Sequence, residues 1–479
     1  MTPAMSVQTY RNFIGGEWID TEAHDVVRLP YDGTPVGEVP HAGLEVLEKA
    51  IAAARNGFRT MRELANYERA DMLLKIAELI RHDLAEYTFI VCSETGKPIR
   101  EARVEVERCL QTLTAAAHEA RQLHGEVVPM DFSSAGKGRM GMTVREPIGV
   151  IGCITPFNVP LNLALHKIAP AFAAGNAVVH KPASKTPLSA LRLGRTMAEA
   201  GVPKGAFNVI TGSGAQIGMA LAEHRGVAML TFTGSLEVGL TIKSRASFKK
   251  VTLELGNNSA VIIEPDADLT KAVPRTVQGA FAHSGQVCIS VQRAFVHQSI
   301  VDEFVERVKA ASEALRIGHP YEESTDISSM IDECEAIRVE SWIQEAIQGG
   351  ARVVTGGKRE RATLTPTVLL NVPAACRLSC QEAFGPVLAV YPYEDLEQAV
   401  ERANATPYGL QAGIFTSNIQ RAFHAARKLE VGGVMIDDIP MFRADHMPYG
   451  GVKESGMGRE GPRYAIEEMT ELKLICWRV

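Results

Sequence analysis

Two side chains in this sequence stand out as candidates for bond-making chemistry. Cys288 follows Ser284-Gly285-Gln286-Val287, a glycine-containing break in a helical segment. A helix entry lowers a thiol pKa, although a cysteine in such a place is more often a buried structural thiol. Glu254 ends an otherwise apolar run, Val251-Thr252-Leu253-Glu254-Leu255-Gly256. Charged residues are rarely buried without a partner or a purpose, and an outward-facing strand position is the plainer alternative. His283 and His297 lie near Cys288 in sequence, but spacing selects neither as the partner of a cysteine protease dyad.

Two glycine-containing turns are candidates for holding phosphate. At Phe232-Thr233-Gly234-Ser235, with Gly239 after it, a strand gives way to a helix. Glycine permits close backbone approach there, and the helix N-terminus can face a pyrophosphate. Gly212-x-Gly214 followed by Gly218 is similar to a dinucleotide fingerprint, but its last gap is one residue too long. The plainer reading is a tight strand-to-helix turn.

The elements that must position these residues form an α/β pattern. Residues 43–125 read as mostly helical, with apolar residues three and four apart over Leu44–Phe58 and Arg69–Ile90. From Val150 onward short apolar strands alternate with helices: strands at Val150–Ile154, Ala177–His180, Phe207–Thr211, Val227–Phe232, Lys250–Leu255 and Ala260–Glu264. Such alternation means parallel βαβ units, which place ligands at the carboxyl ends of the strands. A second α/β section begins near 257, with a helix expected over Leu269–Ser284. Gly125–Thr143 reads as a projecting arm and Met469–Val479 as an edge strand. Pro147–Leu165 carries no charge, but its prolines and asparagines argue for a buried strand and turn rather than a membrane span.

The bulk properties narrow the function classes. The chain has 479 residues and a net charge of -6, against a nucleic-acid surface. Its eight cysteines form no CxxC and no Cys/His cluster with zinc spacing, so no metal is expected and a reducing compartment is. Residues 1–20 lack a basic region followed by an apolar core, so a cytoplasmic location is expected.

Taken in order, the motifs cross a threshold that none reaches alone. They are Ile154-Thr155-Pro156-Phe157-Asn158-Val159-Pro160, Lys181-Pro182-Ala183-Ser184-Lys185-Thr186-Pro187, Phe232-Thr233-Gly234-Ser235, Leu253-Glu254-Leu255-Gly256, Gly285-Gln286-Val287-Cys288, Glu382-Ala383-Phe384-Gly385-Pro386 and Pro448-Tyr449-Gly450-Gly451. In this order and spacing the chain resembles the aldehyde dehydrogenase superfamily, from Asn12 almost to the C-terminus. The resemblance implies a Rossmann-like parallel-sheet cofactor domain (1–124 and 144–256), an α/β catalytic domain (257–464) and a small β oligomerisation arm (125–143 and 465–479). It implies Cys288 as nucleophile, Glu254 as the base that activates water, and Asn158 as an oxyanion donor. It implies NAD or NADP as cofactor, held by Thr155, Pro156, Phe157, Lys181, Ser184, Gly214, Phe232, Gly234, Ser235, Leu255, Glu382 and Phe384.

Two positions depart from the family pattern. Members preferring NAD often carry Glu where this chain has Ser184, so NADP is expected to be accepted here. Asn257 stands where the motif usually continues with Gly. Glu254 is retained, which argues against a coenzyme A-acylating relative; a non-catalytic binding protein of the same fold is the other rival. Arg293, Arg443 and His446 are candidate contacts for a hydroxylated or anionic aldehyde, since arginine suits a carboxylate, sulfonate or phosphate. The stretch 437–448 is most similar to the lactaldehyde and glyceraldehyde branch. A homodimer or homotetramer is expected, with no nucleic-acid or membrane partner.

Overall fold

The computed structural model describes residues 7–479; the first six residues lie outside the described residues. An eight-stranded sheet carries Val150–Ile154, Ala177–Lys181, Phe207–Val209, Met229–Thr233 and Lys250–Glu254 as parallel neighbours. These strands are apolar and wholly or largely buried, as parallel strands covered by helices on both faces must be.

The chain runs outward from Val150–Ile154 through Ala177–Lys181 to Phe207–Val209. It then returns to the other side of Val150–Ile154 as Met229–Thr233, followed by Lys250–Glu254. Strand order therefore reverses between 150–154 and 229–233, and a crevice opens at their carboxyl ends. Register brings the motifs to that one edge: Ile154 pairs with Lys181 and with Phe232, and Thr233 pairs with Glu254.

A seven-stranded sheet begins at Ser259–Ile263 and includes Val291–His297, Val387–Tyr393, Gln411–Phe415 and Gly433–Ile436 in parallel. The change of sheet falls between Glu254 and Ser259. Gly456–Met457 crosses back to pair antiparallel with Lys250–Glu254, stapling the two units beside Glu254. The third sheet pairs Thr470–Arg478 with Arg139–Pro147 over nine residues, and Val127–Val128 adds to it. The strand Arg139–Pro147 of this arm runs beyond the expected limit at 143.

Two helices differ from expectation. The segment expected as Arg69–Ile90 is two helices, Asn66–His82 and Leu84–Thr95, broken at Asp83 with φ -97° and ψ 22°. The helix expected to reach Ser284 ends at Phe281, and His283, Ser284 and Gly285 adopt positive φ. Among the described residues no helix is long and apolar enough to cross a membrane.

Candidate active site

The left-handed turn His283–Gly285 leads into Cys288, the expected nucleophile. Its φ values are 49°, 53° and 70°, a conformation that side-chain-bearing residues adopt only when their surroundings enforce it. At Gly285 a Cβ would lie 2.1 Å from the Gly385 carbonyl oxygen, so only glycine fits. The turn is held by Glu101, whose carboxylate accepts from the His283 N–H at 2.8 Å. Gln286 braces the other side, its amide oxygen accepting from the Ile331 N–H at 2.8 Å. Cys288 Sγ then lies 2.9 Å from the Tyr449 hydroxyl. Burial pushes the thiol up to about 12.

Asn158 stands just before the helix Pro160–Ala173 and is buried. Its amide donates to the Gln286 carbonyl at 2.8 Å, two residues before the nucleophile. An asparagine amide carries a second N–H, which is left to point at a substrate oxygen.

Helix Ile99–Gln122 braces this half of the site along one face. Glu101 holds the Cys288 turn. Glu105 accepts from the Leu161 and Asn162 N–H groups at 2.9 and 3.3 Å and pairs with buried Lys97 at 2.5 Å. Arg108 pairs with Asp445 at 2.8 Å, and Thr112 donates to Asn162 at 2.9 Å. Asp445 also meets His166 at 2.9 Å; burial opposes its ionisation, but His166 and Arg108 outweigh that and hold it ionised. Sequence reasoning did not single out any of these residues. Their signal was the helical spacing of 101, 105, 108 and 112, but nothing in the sequence says what that face meets.

Glu254 is buried at the end of its strand, and neither carboxyl oxygen has a hydrogen-bond partner. Burial, then the charge of Glu460, raises its pKa well above the usual carboxylate range. Glu460 behaves oppositely: burial disfavours its charge, but Lys167 at 2.7 Å and Arg443 at 2.9 Å overcome that and keep it ionised. Two buried acids are thus pushed apart, one protonated and one charged. Arg443 lies 3.7 Å from the Tyr449 ring centroid, and its Nε–H has no acceptor.

The cofactor-side residues meet at the crevice. Lys181 Nζ donates to Pro182 O at 2.8 Å and is 3.4 Å from Ser184 Oγ. Burial brings its pKa down to about 8. An ammonium has three donors, so one remains for a ribose hydroxyl. Gly214 faces it, since a Cβ there would sit 4.0 Å from Nζ. Ser184 donates to the Gly212 carbonyl at 3.0 Å, and Lys185 is paired with Asp332.

Ser235 is the N-cap of helix Leu236–Arg245 but makes no capping bond, so the first N–H groups are open to a phosphate. Glu382 accepts from the Asn257 N–H at 3.0 Å, and its other oxygen lies where a Cβ on Gly256 would be 2.4 Å away. Phe384, at φ 46°, stands edge-on to Phe157 at 5.7 Å. Thr155 hydrogen-bonds His180 at 2.8 Å, and Pro156 and Phe157 are half-buried at the strand end. These residues fit a nicotinamide dinucleotide.

Four positions have structural work. Phe232 is buried, and its ring fills the space a Cβ on Gly234 would need. Leu255 packs in the same way against Gly239, and its N–H bonds Ser455 O at 3.0 Å. Asn257 turns its amide to Ser259 at 2.6 Å, leaving Glu254 undisturbed. The expectation for Arg293 is corrected: it is buried, and its guanidinium donates to the carbonyls of Asn258, Arg402 and Ala403. Those bonds fix it as a strut of the second sheet, with little donor capacity left for substrate. His446 is also corrected: it is exposed on a groove of about 490 Å³ with Leu110, Gln111 and His118, outside the hydrogen-bonded cluster at Asp445. Arg443 alone of the three joins the thiol, through Tyr449.

A thiol set before a switch-point crevice is the arrangement of a dinucleotide-dependent oxidoreductase. The aldehyde dehydrogenase family matches residues 18–475. The 3-sulfolactaldehyde dehydrogenase of Priestia aryabhattai is 47% identical over 475 residues, covering 99% of each chain. A lactaldehyde dehydrogenase of Methanocaldococcus jannaschii is 41% identical, over 97% of this chain and 99% of that one. The NADP-dependent glyceraldehyde-3-phosphate dehydrogenase from Bacillus halodurans, solved with NADP, superposes with a TM-score of 0.96 at 36% identity, over 98% of this chain and 99% of that one. This chain belongs to the aldehyde dehydrogenase family.

Proposed function

We propose that the protein oxidises a short aldehyde bearing an anionic or hydroxyl group to its carboxylate, with NAD or NADP, through a thioester on Cys288. The observation that carries the substrate class is the charge balance beside the thiol. Lys167, Arg443 and Arg459 act on Glu254 against Glu460, while burial raises the pKa of Glu254 and of Glu382, the other acid near the thiol. Arg108 and Asp445 cancel, and burial together with Arg443 keeps His166 neutral. The balance of these groups is cationic, and the buried Arg443 Nε–H has no acceptor. A sulfonate, carboxylate or phosphate answers both.

In this reading the Cys288 sulfur attacks the carbonyl carbon. The oxygen gathers charge against the second N–H of Asn158 and the Cys288 N–H. Removing one such donor costs about 3–4 kcal/mol of transition-state stabilisation. A nicotinamide held by Glu382 and Phe384 would supply the hydride acceptor. Glu254, once ionised, takes a proton from water as that water attacks the thioester carbonyl, and Cys288 leaves as thiolate with release of the acid. Ser184, in place of a carboxylate, leaves room for a 2′-phosphate, so both cofactors are used. The exposed apolar residues Leu472, Leu474 and Trp477 on the outer strand support pairing of the arm across subunits of a homodimer or homotetramer.

The test is steady-state turnover with both cofactors on 3-sulfolactaldehyde, glyceraldehyde 3-phosphate, succinic semialdehyde, lactaldehyde and propanal. At least one anionic aldehyde is expected to exceed propanal in kcat/KM by about tenfold or more, a preference lost in Arg443→Met. Absence of reduced cofactor on every aldehyde would overturn the reading. An undiminished preference in Arg443→Met would overturn the substrate class.

A further inference from the structure

Cys288 Sγ meets a group that the mechanism above leaves unused, the Tyr449 hydroxyl at 2.9 Å. Tyr449 is firmly held. It is 2% exposed, and its N–H donates to the Glu460 carbonyl at 3.0 Å while its own carbonyl accepts from the Glu460 N–H at 2.6 Å. The Arg443 guanidinium lies over its ring face, 3.7 Å from the centroid, and is itself fixed by Glu460 at 2.9 Å. Burial holds the phenol pKa well above its usual value, and the Arg443 charge on the ring face works against that rise.

The sulfur needs such a donor. Burial opposes its ionisation, as do Glu382 and, when ionised, Glu254; Tyr449 and Arg443 act the other way. Asn158 is engaged with the Gln286 carbonyl. Between a thiol and a phenol either atom can donate. Once the thiol proton has gone to solvent, sulfur can only accept, so Tyr449 must donate, and a bond made to the charged form favours that form.

We propose that Tyr449, polarised by Arg443, is a further catalytic residue, whose hydroxyl donates to the Cys288 thiolate and holds it ready for attack. This rests on Cys288 being the nucleophile. It makes Arg443 serve two ends, anion binding and, through the tyrosine ring, activation of the sulfur.

The experiment is the rate of alkylation of the intact protein by iodoacetamide at fixed pH values between about 7 and 10, below the thiol's midpoint, where the rate follows the thiolate fraction. It is read on the Cys288 peptide by mass spectrometry so that exposed Cys334 and Cys476 do not interfere. Tyr449→Phe keeps the ring and the cation over it. Its alkylation is expected to slow by about ten- to a hundredfold at each pH. Arg443→Met is expected to slow it by less. A folded Tyr449→Phe protein alkylated within about twofold of the parent rate overturns the proposal. Should Tyr449→Phe fail to fold, an unchanged rate in Arg443→Met overturns it instead. Alkylation needs neither aldehyde nor cofactor. A failure here therefore leaves aldehyde oxidation standing, while failure of turnover on every aldehyde would not alter the alkylation profile.

Discussion

Glu254→Gln separates the two half-reactions. Both carboxyl oxygens of Glu254 are buried without a partner, so an amide of the same shape leaves the packing unchanged. What is lost is the capacity to take a proton from water. General-base removal typically slows a step by about 10²–10⁴-fold, or roughly 3–5 kcal/mol of barrier. In the proposed reaction only release of the acid needs that base. Rapid mixing with saturating aldehyde is therefore expected to give a burst of about one reduced cofactor per site, then a steady rate slowed by at least a hundredfold.

The same carboxyl sets a pH dependence. Burial and Glu460 raise its pKa, so the parent's steady rate is expected to climb with pH above the usual carboxylate range, while Glu254→Gln stays flat. For stability the sign is opposite. In the window between the unfolded and the raised folded pKa, the folded chain holds a proton that the unfolded chain has released. Stability thus falls as pH rises through that window. Glu254→Gln removes this slope, so its thermal midpoint is expected to gain on the parent as pH rises. A steady rate within about threefold of the parent, or an absent burst in a variant whose Cys288 still alkylates, would refute the assignment.

Other outcomes follow from named contacts. Glu105→Gln keeps an acceptor for the helix at Leu161 but strands buried Lys97. Losing one partner of a buried pair costs about 3–5 kcal/mol, so the thermal midpoint should fall. The double variant with Lys97→Met should recover much of that loss; additive losses would refute the pairing. Ser184→Glu places a carboxylate three residues beyond Lys181 and should lower the ratio of kcat/KM for NADP over NAD by about tenfold or more. An unchanged ratio would show that residue 184 does not face the 2′ position.

Local pattern made some of this visible and hid the rest for physical reasons. The strand Val150–Ile154 stands where its short apolar run placed it, because all five of its residues are buried. Cys288 and Glu254 were legible as a pair only through motif order, and the crevice appears once register sets Thr233 beside Glu254. The end of the helix at Phe281 was not legible. Ala282-His283-Ser284 carries nothing that forbids helix, and the left-handed turn is enforced by Glu101 and Gly385 from distant segments. Arg293 and Arg443 look alike in sequence. One is consumed by backbone carbonyls and the other is paired with Glu460, a difference set by partners far along the chain.

One consequence follows from having a single helix, Ile99–Gln122, touch the Cys288 turn, the start of the Asn158 helix and Asp445. Three parts of the site share one mechanical datum. A thermal tilt or a distant mutation that shifts this helix carries sulfur, amide donor and substrate loop together, a common-mode error that leaves their mutual spacing intact. Glu254 makes no bond to this helix and is tied to it only through the sheet, across Met229–Thr233 from Val150–Ile154. Misalignment therefore concentrates in the gap between sulfur and base, and distant damage is expected to slow release of the acid before it slows attack on the aldehyde.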